Sequence, residues 1–396
     1  MKVLIVNKFY YNRGGAEVVA INLRDELKSR GYDVAVFTMD YPENFRGDYI
    51  YTAPEVSFKN GAAGKLKFAE RTFGGAGVAA AFKKALREFK PDVVHLHNIH
   101  SYLSPVVARL AKKAGCRVVW TLHDYKLACP AYSCLNHGKV CERCFSDKSA
   151  ILSQRCFKNS FAASALAYLE AKKWNVAKLE KCVDVFVCPS RFMYNQMIKG
   201  GVSKDKLSVV CNFVDPIKIE ELAHKDCTKK EDYYVYIGRL SEEKGVETLL
   251  KAASKLPYKL KVAGTGPLHE YFTKNYNSAN IEYLGQLDAV GVSNLLEHTK
   301  LLISPSECYE NNPLSVIEAL CAGTPVVGAR IGGIPELVKP SNGLTFESGN
   351  CDELAECISK IMGGEDYDYS LIADNARRDF SADTHLSKLI PLYRGC

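Results

Sequence analysis

Two doubly wound α/β domains are what this sequence predicts, on three observations. The chain has 396 residues, too many for one comfortable hydrophobic core, so two domains are expected. Its strand candidates are short, β-branched and apolar along their whole length, as strands of a parallel sheet covered on both faces are. Amphipathic stretches alternate with these strands, which fall into two series on either side of a polar segment.

The first series is "KVLIV", "DVAVFT", "DVVHLH", "CRVVWTLH", "DVFVCPS" and "LSVVCN", all before residue 213. The second is "YYVYIG", "YKLKVAG", "IEYLG", "KLLISPS", "TPVVGA" and "GLTFE". Between them lies the region from Val214 to Asp232, with "DPIKIEELAHKDCTKKED". It is polar, lacks strand character and is expected to contain the linker. In such an architecture a ligand sits beyond the carboxyl ends of the strands, here in a central cleft that both domains face.

Hydrophobic residues make up 47% of the chain and charged residues 24%, as in soluble globular proteins. The opening "MKVLIVNKFYYNRGG" lacks the apolar length and small-residue cleavage site of an export signal. No apolar run approaches the ~20 residues of a membrane-spanning helix. A cytoplasmic protein is expected, its 15 cysteines mostly reduced thiols. The net charge of +7 is unevenly divided: residues 1–200 hold 31 Lys+Arg against 17 Asp+Glu, and residues 201–396 hold 21 against 28. Either this is a chance surface asymmetry, or the first half faces anionic lipid or a pyrophosphate-linked acceptor. Nucleic acid is not an expected partner, because no helix-turn-helix, zinc-finger or aromatic-basic motif accompanies the charge.

The chemistry-bearing motifs lie at strand ends. "NRGGAEVVAINLRDELKSRG" follows the first strand and opens a helix, placing Gly14 and Gly15 at a turn where backbone amides and the helix dipole can meet an anion. A tight turn alone would use the same residues. The spacing is not G-x-G-x-x-G, so the dinucleotide fingerprint of an oxidoreductase is missing. "VVWTLHDY" ends a strand at His123, whereas His95, His97 and His100 in "HLHNIH" read as structural. In "YIGRLSEEKGVETLL", Arg239 and Lys244 fall in a strand-to-helix loop, where a planar fork and a point charge could hold a diphosphate. In "VAGTGPL", Gly264 and Gly266 allow close backbone approach to a ligand. "KLLISPSECYEN" is a strand and a loop carrying Glu310, and "PLSVIEALCAG" is a helix opened by Pro313, where a missing amide costs nothing. Free amides from Asn312 to Leu314 then point at the cleft, and Glu318 follows about a turn later. Two carboxylates so placed suit the gripping of sugar hydroxyls.

Together, "GGAE", "TLHDY", "GRLSEEKG", "AGTGP" and "E-x7-E-A-L-x-A-G-T-P-V-V" closely resemble glycosyltransferase family 4, retaining nucleotide-sugar transferases of the GT-B fold. The resemblance covers nearly the whole chain. It implies a sugar transfer from a nucleotide-diphosphate sugar to a glycan or lipid-linked acceptor, in surface polysaccharide synthesis. Arg239 and Lys244 look like the donor diphosphate pair, Glu318 like the ribose acid, and Glu310 like the acid at the transferred sugar. His123 resembles the histidine at the donor sugar, and Gly15 the glycine near the phosphates. The family's retention is thought to use the leaving phosphate as proton acceptor, so no catalytic cofactor is expected. "GTG" departs from the commoner G-[DE]-G, and "ENNP" from E-G-F-G, which leaves that loop and the sugar open. Domains are expected at 1–212 and 213–375, with a segment at 376–396 that crosses back to the first domain through Leu386, Leu389, Leu392 and Tyr393.

Two further features lie outside these motifs. Residues 129–156 hold five cysteines with one C-x2-C, which suggests structural zinc or free, buried thiols. The cluster resembles an insertion in some bacterial members of the family, and on that basis the expected ligands are Cys129, Cys141, Cys144 and Cys156. The stretch 61–91 interleaves Lys65, Lys67, Arg71, Lys83, Lys84 and Arg87 with Leu66, Phe68, Phe73 and Phe82. It could lie peripherally on an anionic inner membrane face or simply pack on its domain. Competing functions are a nucleotide-sugar epimerase on the same fold, separated by product analysis without acceptor, and a non-catalytic nucleotide-sugar-binding protein. The intact set Arg239, Lys244, Glu310 and Glu318 argues against the second.

Overall fold

The computed structural model describes residues 1–56, 61–275 and 280–395. The chain divides into two compact units, one of residues 1–136, 141–211 and 386–395, the other of 137–140 and 212–385. Cys396, the last residue of the expected terminal segment, lies outside the described residues.

The first unit is built on a seven-stranded parallel sheet. Its strands are β1 (Lys2–Val6), β2 (Asp33–Met39), β3 (Ile50–Ala53), β4 (Val93–Leu96), β5 (Arg117–Thr121), β6 (Val185–Cys188) and β7 (Leu207–Val209). In space they run β3-β2-β1-β4-β5-β6-β7, so the order reverses between β1 and β4, where ligands of open α/β sheets bind. Six of these strands coincide with the apolar runs read from the sequence. β3 does not: its four residues are only half-buried except Ala53, and an edge strand covered on one side carries no continuous apolar signature.

Three helices of this unit bear on function. α1 (Gly15–Ser29) buries Val19, Ala20, Leu23 and Leu27 along one stripe. α2 (Gly61–Thr72) carries Lys65 and Lys67 of the basic stretch, and α3 (Phe161–Lys173) carries Lys172 and Lys173 in its last turn. Ser160 caps α3 by accepting from the Ala163 amide.

The second unit repeats the design with six strands: β8 (Glu231–Ile237), β9 (Lys259–Ala263), β10 (Ile281–Gly285), β11 (Thr299–Ser304), β12 (Val326–Ala329) and β13 (Gly343–Phe346). Their order is β10-β9-β8-β11-β12-β13, all parallel. Alternate residues of β8 enter opposite cores, Tyr234 and Tyr236 one and Tyr233 and Val235 the other, which is why its run is apolar throughout. The expected linker region holds a helix, α4 (Pro216–Ala223). Asp215 caps it by accepting from the Ile217 amide at 3.0 Å, and Pro216 occupies its first turn. α5 (Leu314–Cys321) buries Val316, Ile317, Ala319, Leu320 and Cys321. The last helix, α6 (Ala382–Arg394), spans the division at His385. In the first unit its Tyr393 hydroxyl meets His95 Nδ1 at 2.6 Å, and the Leu392 carbonyl accepts from Arg117 Nε at 2.8 Å. Among the described residues no helix is long and apolar enough to cross a membrane.

Candidate functional site

In the second unit, the loops after β8, β9 and β11 gather most of the expected residues. Lys244 Nζ lies 2.5 Å from Glu310 Oε1, and Ser306 Oγ donates to the same oxygen at 2.7 Å. Burial pulls the Lys244 ammonium down, but the Glu310 charge more than offsets it and holds its pKa above the ordinary lysine value. Cys308, pushed up to about 12 by burial and then by Glu310, stays a neutral thiol beside them. Arg239 is different. Its side chain is exposed and makes no hydrogen bond or ion pair among the described residues, while its carbonyl accepts from the Tyr236 hydroxyl at 2.7 Å.

Gly264 and Gly266 do approach backbone closely, but the backbone is the chain's own. A Cβ on Gly264, at φ +133°, would collide with the Gly238 carbonyl, and one on Gly266 with the Leu240 carbonyl. The absence of side chains lets the loop after β9 zip onto the loop of Arg239, with Leu240 N donating to the Thr265 carbonyl at 3.0 Å and Leu268 N to the Leu240 carbonyl at 2.9 Å. Close packing thus fixes the backbone that carries Arg239.

Pro313 precedes α5 as its cap residue, and the helix begins at Leu314. First-turn amides have no intrahelical partner. Asn312 is committed elsewhere: its Oδ1 accepts from the Asn212 amide at 2.8 Å, and its carbonyl from Asn212 Nδ2 at 2.9 Å. Leu314 and Glu318 share one helix flank, four residues apart. Glu318 Oε1 lies 3.0 Å from Lys218 Nζ on α4, both side chains partly exposed. Lys218 and Ser306 were not among the residues read from the sequence.

In the first unit, Gly14 adopts an extended conformation and Gly15 opens α1, both exposed, with Glu17 buried in the first turn. His123 follows β5 and is partly exposed. Burial, and then the Lys8 charge, push its pKa down to about 3, so the ring is neutral at physiological pH. His123 Nε2 lies 2.9 Å from His97 Nδ1. A cavity of about 260 Å³ elsewhere in this unit is lined by His100, Lys126, Tyr168 and Glu170. Neither Gly15 nor His123 lines it.

Among the described residues no group of three or more His, Cys, Asp or Glu is placed to hold a metal ion. The contacts also differ from the expected set: Cys134 and Cys144 hydrogen-bond to Cys129, holding it below the usual thiol range. Cys129, Cys134 and Cys144 are buried, whereas Cys141 and Cys156 stand nearer the surface. Sequence spacing could not rank Cys134 against Cys156, since both flank the C-x2-C.

The basic stretch is likewise redistributed. Phe68 and Phe82 are buried, and Arg71, 1% exposed, donates to the carbonyls of Tyr102, Pro54 and Ala76. Lys65, Lys67, Lys83, Lys84 and Arg87 remain exposed, with Leu66 the apolar residue among them, 73% exposed.

Comparison with known proteins places this geometry in a class. Two solved structures align over the whole chain: the lipopolysaccharide outer core galactosyltransferase WaaB (TM-score 0.68, 17% identity, 100% of this chain and 99% of that one), and Anabaena Alr3699/HepE in complex with UDP and glucose (TM-score 0.69, 18% identity, 100% of both). The architecture is the GT-B fold of glycosyltransferases. Residues 13–218 match the profile of Glycosyltransferase Family 4, and residues 218–379 that of Glycosyl transferases group 1. The chain belongs to glycosyltransferase family 4. Among curated relatives, an uncharacterized 42.6 kDa protein in the cps region of Klebsiella pneumoniae is 25% identical, each chain covered in full. An N-acetyl-alpha-D-glucosaminyl L-malate synthase of Bacillus anthracis is 21% identical over 99% of this chain and 96% of its own.

Proposed function

We propose that the enzyme transfers a sugar, with retention of configuration, from a nucleoside-diphosphate sugar to a glycan or lipid-linked acceptor during assembly of a surface polysaccharide. The observation that carries the donor side is the exposed Arg239, whose side chain has no hydrogen-bond or ion-pair partner among the described residues, on the same loop as Lys244 of the partly buried Lys244–Glu310 pair. A diphosphate needs cations, and here one is free while the other is preorganised by an acid that would itself face the sugar. Arg239 and Lys244 take the diphosphate, the first amides of α5 add to them, Glu318 takes the ribose, and Glu310 and His123 take the transferred sugar. Gly15 contributes amides near the phosphates. The step balances without a protein base: the acceptor oxygen bonds to the anomeric carbon as its bond to the phosphate oxygen breaks, and the acceptor proton passes to that phosphate. His123, being neutral, contributes a hydrogen bond rather than a charge. The relatives in a cps region support the polysaccharide assignment. The exposed lysines of α2 and their neighbours support a peripheral, electrostatic contact with an anionic membrane on the cytoplasmic side.

A thermal-shift screen of nucleosides, nucleoside diphosphates and nucleotide sugars tests the reading. A ligand at 100 times its dissociation constant stabilises by about 2.7 kcal/mol. A diphosphate should shift the unfolding temperature and the matching nucleoside should shift it far less, and Arg239→Ala should remove most of that difference. Equal shifts for parent and Arg239→Ala would take Arg239 out of the site.

A further inference from the structure

Strand periodicity places His95 and His97 on one face of the chain at the end of β4, where their rings stack with centroids 4.4 Å apart. His97 in turn lies parallel to His123, at 5.2 Å and 15° between planes. His95 and His97 are each 1% exposed, and only His123, at the outer end of the series, reaches the surface. The inner end is fixed twice, by Tyr393 Oη at 2.6 Å from His95 Nδ1 and by Thr121 Oγ1 at 2.8 Å from His95 Nε2. The backbone beneath His97 is pinned as well, its carbonyl accepting from Trp120 Nε1 at 2.9 Å.

From this geometry we infer that His97 is a positioning residue for sugar transfer: it holds His123 in one ring orientation and one tautomer, and so presents Nδ1 of His123, not Nε2, to the donor sugar. The inference rests on the proposed role of His123 at that sugar. Its physical content is the 2.9 Å line between His97 Nδ1 and His123 Nε2. One neutral ring donates and the other accepts on such a line, so Nε2 of His123 is committed inward either way, and a change of tautomer in His123 requires a matching change in His97, which is 1% exposed. A free imidazole would interconvert tautomers and rotate, and each sugar hydroxyl would meet the correct nitrogen only part of the time. The charged group acting on His123 from the end of β1 is Lys8, itself surrounded by Asp124, Glu17, Arg13 and Lys126. A second proton on the ring would have to enter against burial and the Lys8 charge.

Ring-nitrogen NMR of the full chain with labelled histidine tests the inference without any substrate. The parent should show His123 as a single tautomer, unchanged from pH 8 to pH 5. In His97→Phe its two ring nitrogens should average. His97→Asn, whose amide occupies the position of Nδ1, should restore the single tautomer. With UDP-glucose as donor, His97→Phe should lower kcat roughly tenfold with little change in KM, the size typical of losing an outer partner that orients a reacting histidine, and His97→Asn should recover most of it. Exchanging tautomers of His123 in the folded parent, or an unchanged single tautomer in His97→Phe, would overturn the proposal. If His97→Phe does not fold, the parent spectrum decides alone. A His123→Ala variant with undiminished turnover would instead remove His123 from the reaction while leaving the tautomer result standing, so the two failures are distinct.

Discussion

Glu310 and Glu318 stand eight positions apart, and each is matched by a different lysine, Lys244 for the first and Lys218 for the second. The acids and Lys244 are legible in the sequence because they sit in compact motifs at strand ends. Lys218 is not: it lies in a polar stretch that reads as a linker, and its partnership exists only because α4 packs beside α5. The two acids should fail differently. Ribose bonding hardly changes during transfer, so Glu318→Gln should raise donor KM and leave kcat comparatively intact. Positive charge and orientation matter at the transferred sugar, so Glu310→Gln should lower kcat by roughly 10²-fold. Steady-state kinetics on both variants separates the roles, and identical patterns would show that they share one.

At the scale of elements, α3 is fastened to the loops after β4 and β5 by one carboxylate. Glu170, 2% exposed, pairs with Lys126 at 3.0 Å, faces His100 at 3.8 Å and accepts from the Ser101 amide at 3.0 Å. Burial alone would raise its pKa. Lys126 and His100 win instead and bring it down to about 2. Since the folded value is depressed, the folded state binds fewer protons. The stabilisation is complete above the ordinary carboxylate value and is lost as pH falls through about 2. Glu170→Gln leaves Lys126 buried without its counter-charge and should destabilise the first unit by about 3–5 kcal/mol at neutral pH. That difference from the parent should shrink between pH 4 and pH 2 in denaturant titrations, and a gap independent of pH would mean the pair contributes packing alone. None of this was readable beforehand. Glu170 and Lys126 lie in unrelated stretches of sequence, and only the fold brings them together. The same holds for β3, whose edge position removes the apolar pattern, and for the cysteines, whose contacts depend on loop paths.

For the molecule as a whole, the two strand series, the repeated sheet order and the strand-end position of the candidate residues were legible, because they follow from periodicity and from Gly, Pro and charge at strand ends. The surface role of the basic stretch was only half legible. Its cations could be counted, but not which of its residues turn inward, as Arg71, Phe68 and Phe82 do. With so little exposed apolar area, membrane contact should be electrostatic, at about 1 kcal/mol per cation close to anionic headgroups. Sedimentation with phosphatidylserine-containing vesicles should therefore show binding at low salt that is abolished at high salt. Salt-resistant binding would point to insertion, and none at low salt to packing on the domain only.

The way the chain is divided has a genetic consequence. Arg239, Lys244, the glycines of the following loop, Glu310, Glu318 and its partner Lys218 all fall within the uninterrupted run 212–385. The stacked histidines and the Tyr393 that steadies them lie outside it. Two recombination breakpoints, one near each end of that run, would exchange the residues proposed for the diphosphate and ribose as a single cassette and leave Gly15 and His123 behind. The imidazole series would pass through the exchange intact, together with the helix end that anchors it. Gene conversion of that one segment would therefore bring in new contacts for the proposed diphosphate and ribose while His123, proposed at the transferred sugar, is inherited unchanged.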